Sequence, residues 1–389
     1  MKSSLYKISL VLWNLIIALI AGFTIYFLIR YGRYGVDIKT HNFFLEEYLE
    51  NGFFPIPPGY YALIYLLDLL VRIKYPFVVS SLLTLTFFIW WKYTIVFKWL
   101  QEEGVKEHRE ALGLSLALIF FGPLVFPPVE GDFWYLGKFT PSIWHNSTLI
   151  AVFPFSLILF RKTMDWWKNY ELKFPWNILG LSFAIILIKP SFLFCYIPLF
   201  PLFSGYYHGF RSRFFGYSIG ISVGLLAVIW LEKILIYNWD PMVLDYFQKN
   251  EIPQIQIRPL KVWLHYAFEP FWDFFSSFSL TVLFLIFWGR KAFQNQTFVF
   301  SFALLVFAIL IYLLLAETGF REWHANFYWQ IPITYLIHLI IMVVWVYQER
   351  QKDFQTSKWK FSLFYVVFSL HVLSGVAYWA RIFSERIIS

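Results

Sequence analysis

Apolar runs recur along the whole chain, broken by short polar stretches, and twelve of them suggest membrane spans: 8–29, 59–73, 76–97, 111–127, 147–160, 176–190, 191–206, 214–235, 273–288, 297–315, 331–347 and 361–380. A helix needs about 20 apolar residues to cross a hydrocarbon core of roughly 30 Å, and several of these runs reach that length. The pattern predicts an all-α fold, a polytopic transmembrane helical bundle of about 11–13 spans, with residues 1–389 forming one integral-membrane domain. The first run is too long for a cleaved signal and lacks a small-residue cleavage site, so it reads as a retained span.

Lys and Arg concentrate in four loops, Arg161–Lys173, His208–Arg213, Gly289–Lys291 and Gln348–Lys360, which the positive-inside rule makes cytoplasmic. Loops 123–146, 236–272 and 316–330 then share the opposite side. They are rich in Trp, Tyr, Pro, His and carboxylates, so the functional face is expected to be extracytoplasmic. Parity leaves one difficulty. Three apolar runs separate loop 30–58 from loop 123–146, and an odd number cannot return the chain to the same side. The shortest, 59–73, holds Asp68 and is the first choice for a partial span. Two runs are also interrupted, at Phe121-Gly122-Pro123 and at Lys189-Pro190, where the alternatives are a polar cavity and a proline kink.

Composition agrees with the pattern: 59% of the 389 residues are hydrophobic and only 14% charged, against roughly a quarter charged in soluble domains. This excludes a disordered chain, a nucleic-acid-binding tail and a typical soluble enzyme. The net charge of +8 follows from the basic loops and implies no nucleic-acid partner. Cys195 is the sole cysteine, which excludes an internal disulfide and a cysteine metal cluster. Metalloprotease, Walker A, dinucleotide and nucleophile-elbow motifs are all missing.

Polar side chains capable of chemistry gather in the loops of the functional face. The first carries Asp37 and His41, followed by a stretch, 41–50, suited to an interfacial amphipathic helix with Phe44, Leu45, Tyr48 and Leu49 on its apolar stripe. Asp37 is either a turn cap or a general base. The second loop holds Glu130, Asp132, Lys138, Trp144, His145 and Asn146, a set suited to sugar hydroxyls and ring faces, although Asn146 also suits a helix cap. Asp132 and Glu130 are the alternative catalytic carboxylates. The loop at 316–330 supplies Glu317, Arg321, His324 and Asn326, with Glu317 and Arg321 at ion-pair spacing. Arg321 either pairs with Glu317 or holds a phosphate. Lys189 is an intramembrane cation, which either snorkels to the outer headgroups or contacts a phosphate within a cavity. Arg258 lies in the long third loop. His145 and His324 offer a divalent-metal site if their loops converge; no cofactor is otherwise indicated.

An acid shortly after the first span, an interfacial helix, then Phe54-Pro55-Ile56-Pro57-Pro58-Gly59-Tyr60-Tyr61 leading into the next apolar run resembles the GT-C superfamily of integral-membrane glycosyltransferases. The resemblance covers mainly residues 1–75. It implies a catalytic N-terminal module at 1–160, a second helical part at 161–389 and Asp37 as catalytic base. The donor would be a polyprenyl-phosphate sugar and the acceptor a glycan, lipid or protein. The setting would be the extracytoplasmic face of a bacterial inner or plasma membrane, in cell-envelope polysaccharide biosynthesis. Two other readings stand beside it. A polysaccharide polymerase or ligase using polyprenyl-diphosphate glycans would lean on Arg258 and Arg321. A transporter or lipid flippase would use the broken helices and Lys189.

Overall fold

A computed structural model describes residues 2–32, 36–71, 75–125, 135–169, 173–247, 253–353 and 358–383. Helices occupy all twelve predicted places: α1 (Lys2–Tyr31), α3 (Gly59–Val71), α4 (Val78–Glu102), α5 (His108–Ile119), α6 (Ser147–Lys168), α7 (Trp176–Ile188), α8 (Ser191–His208), α9 (Arg213–Ile234), α12 (Pro270–Ala292), α13 (Gln296–Leu314), α14 (Ile331–Asp353) and α15 (Lys358–Arg381). Three shorter helices lie between them: α2 (Ile38–Glu50), α10 (Pro241–Phe247) and α11 (Lys261–Tyr266). Among the described residues, eight helices are long and apolar enough to cross a membrane: α1, α4, α6, α9, α12, α13, α14 and α15. The chain is an all-α, multi-pass membrane protein. Its most enclosed helix is α14, where His338 is fully buried and its Nδ1 meets Ser301 Oγ of α13 at 3.1 Å.

The structure bears on the parity difficulty, because α3 and α5 are both shorter than a helical span. At 13 residues, α3 is only about 20 Å long, and it is tied back to the helix end it started from. Asp68 Oδ1 accepts from the Phe77 amide (3.0 Å) and from Ser80 Oγ (3.3 Å), both at the start of α4. Ser81, one residue on, bonds Asn42 of α2 at 2.5 Å. Thus α2, α3 and the start of α4 share one end of the bundle, the Asp37 end, and α3 does not traverse it. Asp68 makes this possible, because a carboxylate buried to 4% exposure is stable only with donors of this kind.

In α2 the buried face differs from the predicted stripe. Ile38, Asn42 and Leu45 point inward, whereas Phe44 is exposed alongside Phe43. The Asn42–Ser81 bond sets this rotation, and it leaves two rings at the rim, where interfacial helices present them to lipid.

The break at Phe121-Gly122-Pro123 is an extended segment, 121–125, buried within protein. Its polar groups are met one by one. Ser142 Oγ donates to the carbonyls of Ile119 and Phe121, Ser374 Oγ to that of Pro123, and Lys138 Nζ to that of Leu124. The Gly122 amide donates to the His371 carbonyl at 3.2 Å, and Leu124 to that of Ser276 at 3.0 Å. Such satisfaction is the condition for non-helical backbone at membrane depth. Close approach makes it possible: a Cβ on Gly375 would collide with the Phe120 carbonyl, and one on Gly122 would lie 2.8 Å from the Gly375 Cα.

Lys138 anchors the same region. It is 1% exposed and pairs with Asp273 of α12 at 3.1 Å, while its Nζ also donates to Ser276 Oγ at 2.8 Å. The sequence suggested a substrate contact here; the structure gives this side chain a framework role. Removing one partner strands a buried charge, so Lys138→Met or Asp273→Asn alone is expected to destabilise by about 3–5 kcal/mol, and the paired replacement K138M/D273L by clearly less. Thermal unfolding in lipid nanodiscs measures that order.

Candidate active site

The N-terminus of α6 is the point on which the site is built. Asn146 caps this helix, its Oδ1 accepting from the Leu149 amide (2.9 Å) and from Thr148 Oγ1 (3.3 Å). Of the two sequence readings for Asn146, the cap is the one seen. The first-turn amides left over at a helix start attract anions, and here the anion is Asp37. Its Oδ1 accepts from both the Ser147 amide and Ser147 Oγ, each at 2.8 Å, and its own amide donates to the His145 carbonyl at 3.3 Å. Although Asp37 occupies the N-cap position of α2, its side chain makes no capping bond to that helix. The carboxylate spans 110 residues of sequence to reach α6 instead.

The second oxygen, Oδ2, faces His41 Nε2 at 3.6 Å, and the Asp37 side chain is 26% exposed. The opposite ring nitrogen, His41 Nδ1, lies 2.6 Å from Tyr61 OH on α3. Tyr60 packs edge-on against the same imidazole, with ring centres 5.7 Å apart. Burial pushes the Asp37 carboxyl up. His41 above all, then the Ser147 amide and the positive charge of Lys189, outweigh it and hold the group below its ordinary range. Asp37 is therefore ionised at neutral pH.

Lys189 arrives from the break between α7 and α8. The side-chain bond from Lys189 to Thr148 places the end of the 13-residue α7 beside the start of α6. The ammonium donates to Thr148 Oγ1 at 3.0 Å, reaches Asn146 Oδ1 at 3.4 Å and lies 5.5 Å from the centre of the Trp329 ring. His145 meets the same indole, ring centres 6.1 Å apart. Burial above all lowers the His145 pKa to about 4, with Asp37 raising it and Lys189 lowering it, so this imidazole is neutral at pH 7.

Residues 315–328 form the neighbouring wall. A two-stranded antiparallel ladder pairs β1 (Ile255–Ile257) with β2 (Leu315–Glu317) and joins the long third loop to it. Glu317 bonds Asn326 Nδ2 and lies 3.9 Å from Arg321 Nε, while Arg321 also donates to Tyr237 OH. Arg321 is within electrostatic reach of Lys189. Arg258 stands apart from this group: it and Lys261 each bind Glu322 Oε1 at 2.6 Å.

The fold thus brings together Asp37, His41, His145, Asn146 and Lys189, with Arg321, Glu317, His324 and Asn326 alongside. Trp144 is buried and its ring packs on Phe120 at 5.4 Å, a core contact. Glu130 and Asp132 lie outside the described residues. Ser147, Thr148, Tyr61 and Trp329 complete the site; none was singled out as a site residue in the sequence, although Ser147 adjoins Asn146. Among the described residues no group of three His, Cys, Asp or Glu side chains is placed to hold a metal ion, and His145 and His324 do not form one. No family model, curated protein or solved structure matches this chain.

The Asp37 shift carries a sign. Its folded pKa is below the unfolded value of about 3.9, so its contribution to stability is complete above that range and is lost as pH falls through the folded value. The difference in melting temperature between wild type and Asp37→Asn is expected to stay constant from pH 8 to about pH 5 and to shrink below about pH 4. Nanodisc melting curves across that range test it.

Proposed function

We propose that this protein is a membrane glycosyltransferase of GT-C type, moving a sugar from a polyprenyl-phosphate donor to a glycan, lipid or protein acceptor at the extracytoplasmic face of a plasma or bacterial inner membrane. The observation that carries the reading is the convergence of Asp37 and Lys189 on the first turn of α6. An ionised carboxylate with one oxygen uncommitted to the backbone stands beside a cation with no carboxylate bonded to it among the described residues.

The chemistry follows from those two groups. An acceptor hydroxyl attacks the anomeric carbon while Asp37 Oδ2 takes its proton. As the new C–O bond forms, the bond from the anomeric carbon to the lipid phosphate breaks, and its electron pair stays on the phosphate oxygen. Lys189 and Arg321 offset the charge growing there, Lys189 as a point charge and Arg321 through its planar fork. Trp329 and the neutral His145 supply an apolar face and a hydrogen-bonding edge for the sugar. The polymerase reading leans on Arg258, which Glu322 engages away from Asp37 and Lys189, and on Arg321, which both readings share.

Two predictions test this reading. With purified protein in lipid, polyprenyl-monophosphate sugars and crude acceptor glycans, mass spectrometry is expected to show transfer that falls at least about 100-fold in Asp37→Asn. Lys189→Met is expected to raise the donor KM roughly tenfold, the scale of one charge-assisted bond. Chain growth from a diphosphate donor, indifferent to Asp37→Asn, would assign the polymerase chemistry instead. The acid limb of kcat/KM is the second test. Protonating Asp37 removes the base, and its pKa is depressed, so activity is expected to hold from pH 7 down to about pH 5 and to drop only in the carboxylate range. A limb centred near pH 6.5 would implicate an imidazole.

A further inference from the structure

The hydrogen bond between Tyr61 OH and His41 Nδ1 settles which proton the imidazole carries. His41 on α2 is flanked by Asp37 on one side and by Tyr60 and Tyr61 of α3 on the other; Asp37 in turn faces Ser147 at the start of α6, the His145 carbonyl and the Lys189 charge. A neutral imidazole has one N–H and one lone pair. A lone pair on Nε2 would point at the Asp37 carboxylate and be repelled, so the N–H belongs on Nε2. Nδ1 is then an acceptor and must receive a donor. The only group at hydrogen-bond distance from it among the described residues is the Tyr61 hydroxyl, at 2.6 Å. Tyr61 is 7% exposed, so water competes poorly for that position.

The geometry points to Tyr61 as a positioning residue: its O–H donates to His41 Nδ1, locks the Nε2–H tautomer and aims that N–H at Asp37 Oδ2. The 3.6 Å separation of Nε2 and Oδ2 is longer than a hydrogen bond. His41 therefore orients the carboxylate electrostatically while leaving Oδ2 room for an acceptor hydroxyl. The arrangement is the general one in which the partner of one ring nitrogen decides what the other can do. It rests on Asp37 being the base, as proposed above, and it extends the site to a tyrosine on a different helix, one that touches no substrate.

The test has two arms. The full chain, labelled with nitrogen-15 histidine in lipid nanodiscs, gives His41 signals assigned by their loss in His41→Gln. At pH 7.5 the expected spectrum has a protonated Nε2 and a bare Nδ1, and Tyr61→Phe is expected to draw the two shifts together as the tautomers mix. A protonated Nδ1 in the wild type, or an unchanged spectrum in Tyr61→Phe, would overturn the proposal. In the kinetic arm, Tyr61→Phe is expected to lower kcat roughly tenfold, the size of one hydrogen bond, with KM unchanged and the acid limb displaced upward. A glutamine at position 41 offers an N–H without a tautomer, so Tyr61→Phe is expected to add no further loss in the His41→Gln background. Equal losses in both backgrounds would reduce Tyr61 to a packing role. If the wild type transfers no sugar, the glycosyltransferase reading falls, and the nitrogen spectra still decide the tautomer.

Discussion

The contact between the Asp37 carboxylate and the first amide of α6 holds the Asp37 end of the bundle together. A helix that begins within a membrane protein leaves amides with no partner in its own chain. Asn146 satisfies one, and Asp37 satisfies that of Ser147 together with its hydroxyl. The same bond fixes the end of the α1–α2 connection, since Asp37 immediately precedes α2, and so sets where His41 stands. His41 first, then the Ser147 amide and the Lys189 charge, keep this largely enclosed carboxylate ionised. Remove that anion and α2 loses its tether to α6, and Lys189 loses the nearest charge of opposite sign.

Short helices do as much for the site as long ones. Had α7 run its full course, Lys189 would stand at the membrane rim among headgroups. Ending at Ile188, it delivers the ammonium to Thr148, and Gly59 at the start of α3 packs directly against the carbonyl of Leu187. The shortening of α5 has a different consequence. Its missing turns are replaced by the extended segment 121–125, whose carbonyls are bonded by Ser142, Ser374, Lys138 and His371. That exchange of helical bonds for side-chain bonds links α12, α15 and the stretch before α6 into one block. The segment bearing His145 and Asn146 is thereby held in place from behind.

The helices were legible because lipid imposes a strong and simple pattern: long apolar runs separated by charge. All twelve predicted places hold helices, and the run suspected of being partial, 59–73, holds a short one that buries Asp68. Its partners, the Phe77 amide and Ser80, were not visible, because nothing local marks which end of α4 it would reach. Asp37, His145 and Lys189 were read as chemical groups from type and position alone. Lys138 and Trp144 looked alike in the sequence and turned out to be framework, since burial and the Lys138–Asp273 pairing join residues far apart in the chain. Tyr61 went unread for the same reason. A tyrosine entering a helix is ordinary until folding sets its hydroxyl against a histidine twenty residues earlier.

The pattern of charge pairing bears most directly on chemistry. Lys138 has Asp273, Arg258 and Lys261 share Glu322, and Arg321 has Glu317. Each of these cations has a carboxylate within 4 Å, whereas the buried Lys92 lies over the Phe153 ring. Lys189 has no such carboxylate among the described residues. Its bonded partners are a hydroxyl and an amide oxygen, with an indole face beside them. Neutral acceptors stabilise an ammonium only in part, so Lys189 keeps a residual affinity for an anion that the described residues do not meet. A structural lysine would gain from a nearby Asp or Glu; a lysine whose partner is a substrate phosphate has to do without one until the substrate arrives. Asp37 is close enough to be felt but bonded elsewhere, which keeps the two charges apart and leaves each available to its own part of the reaction.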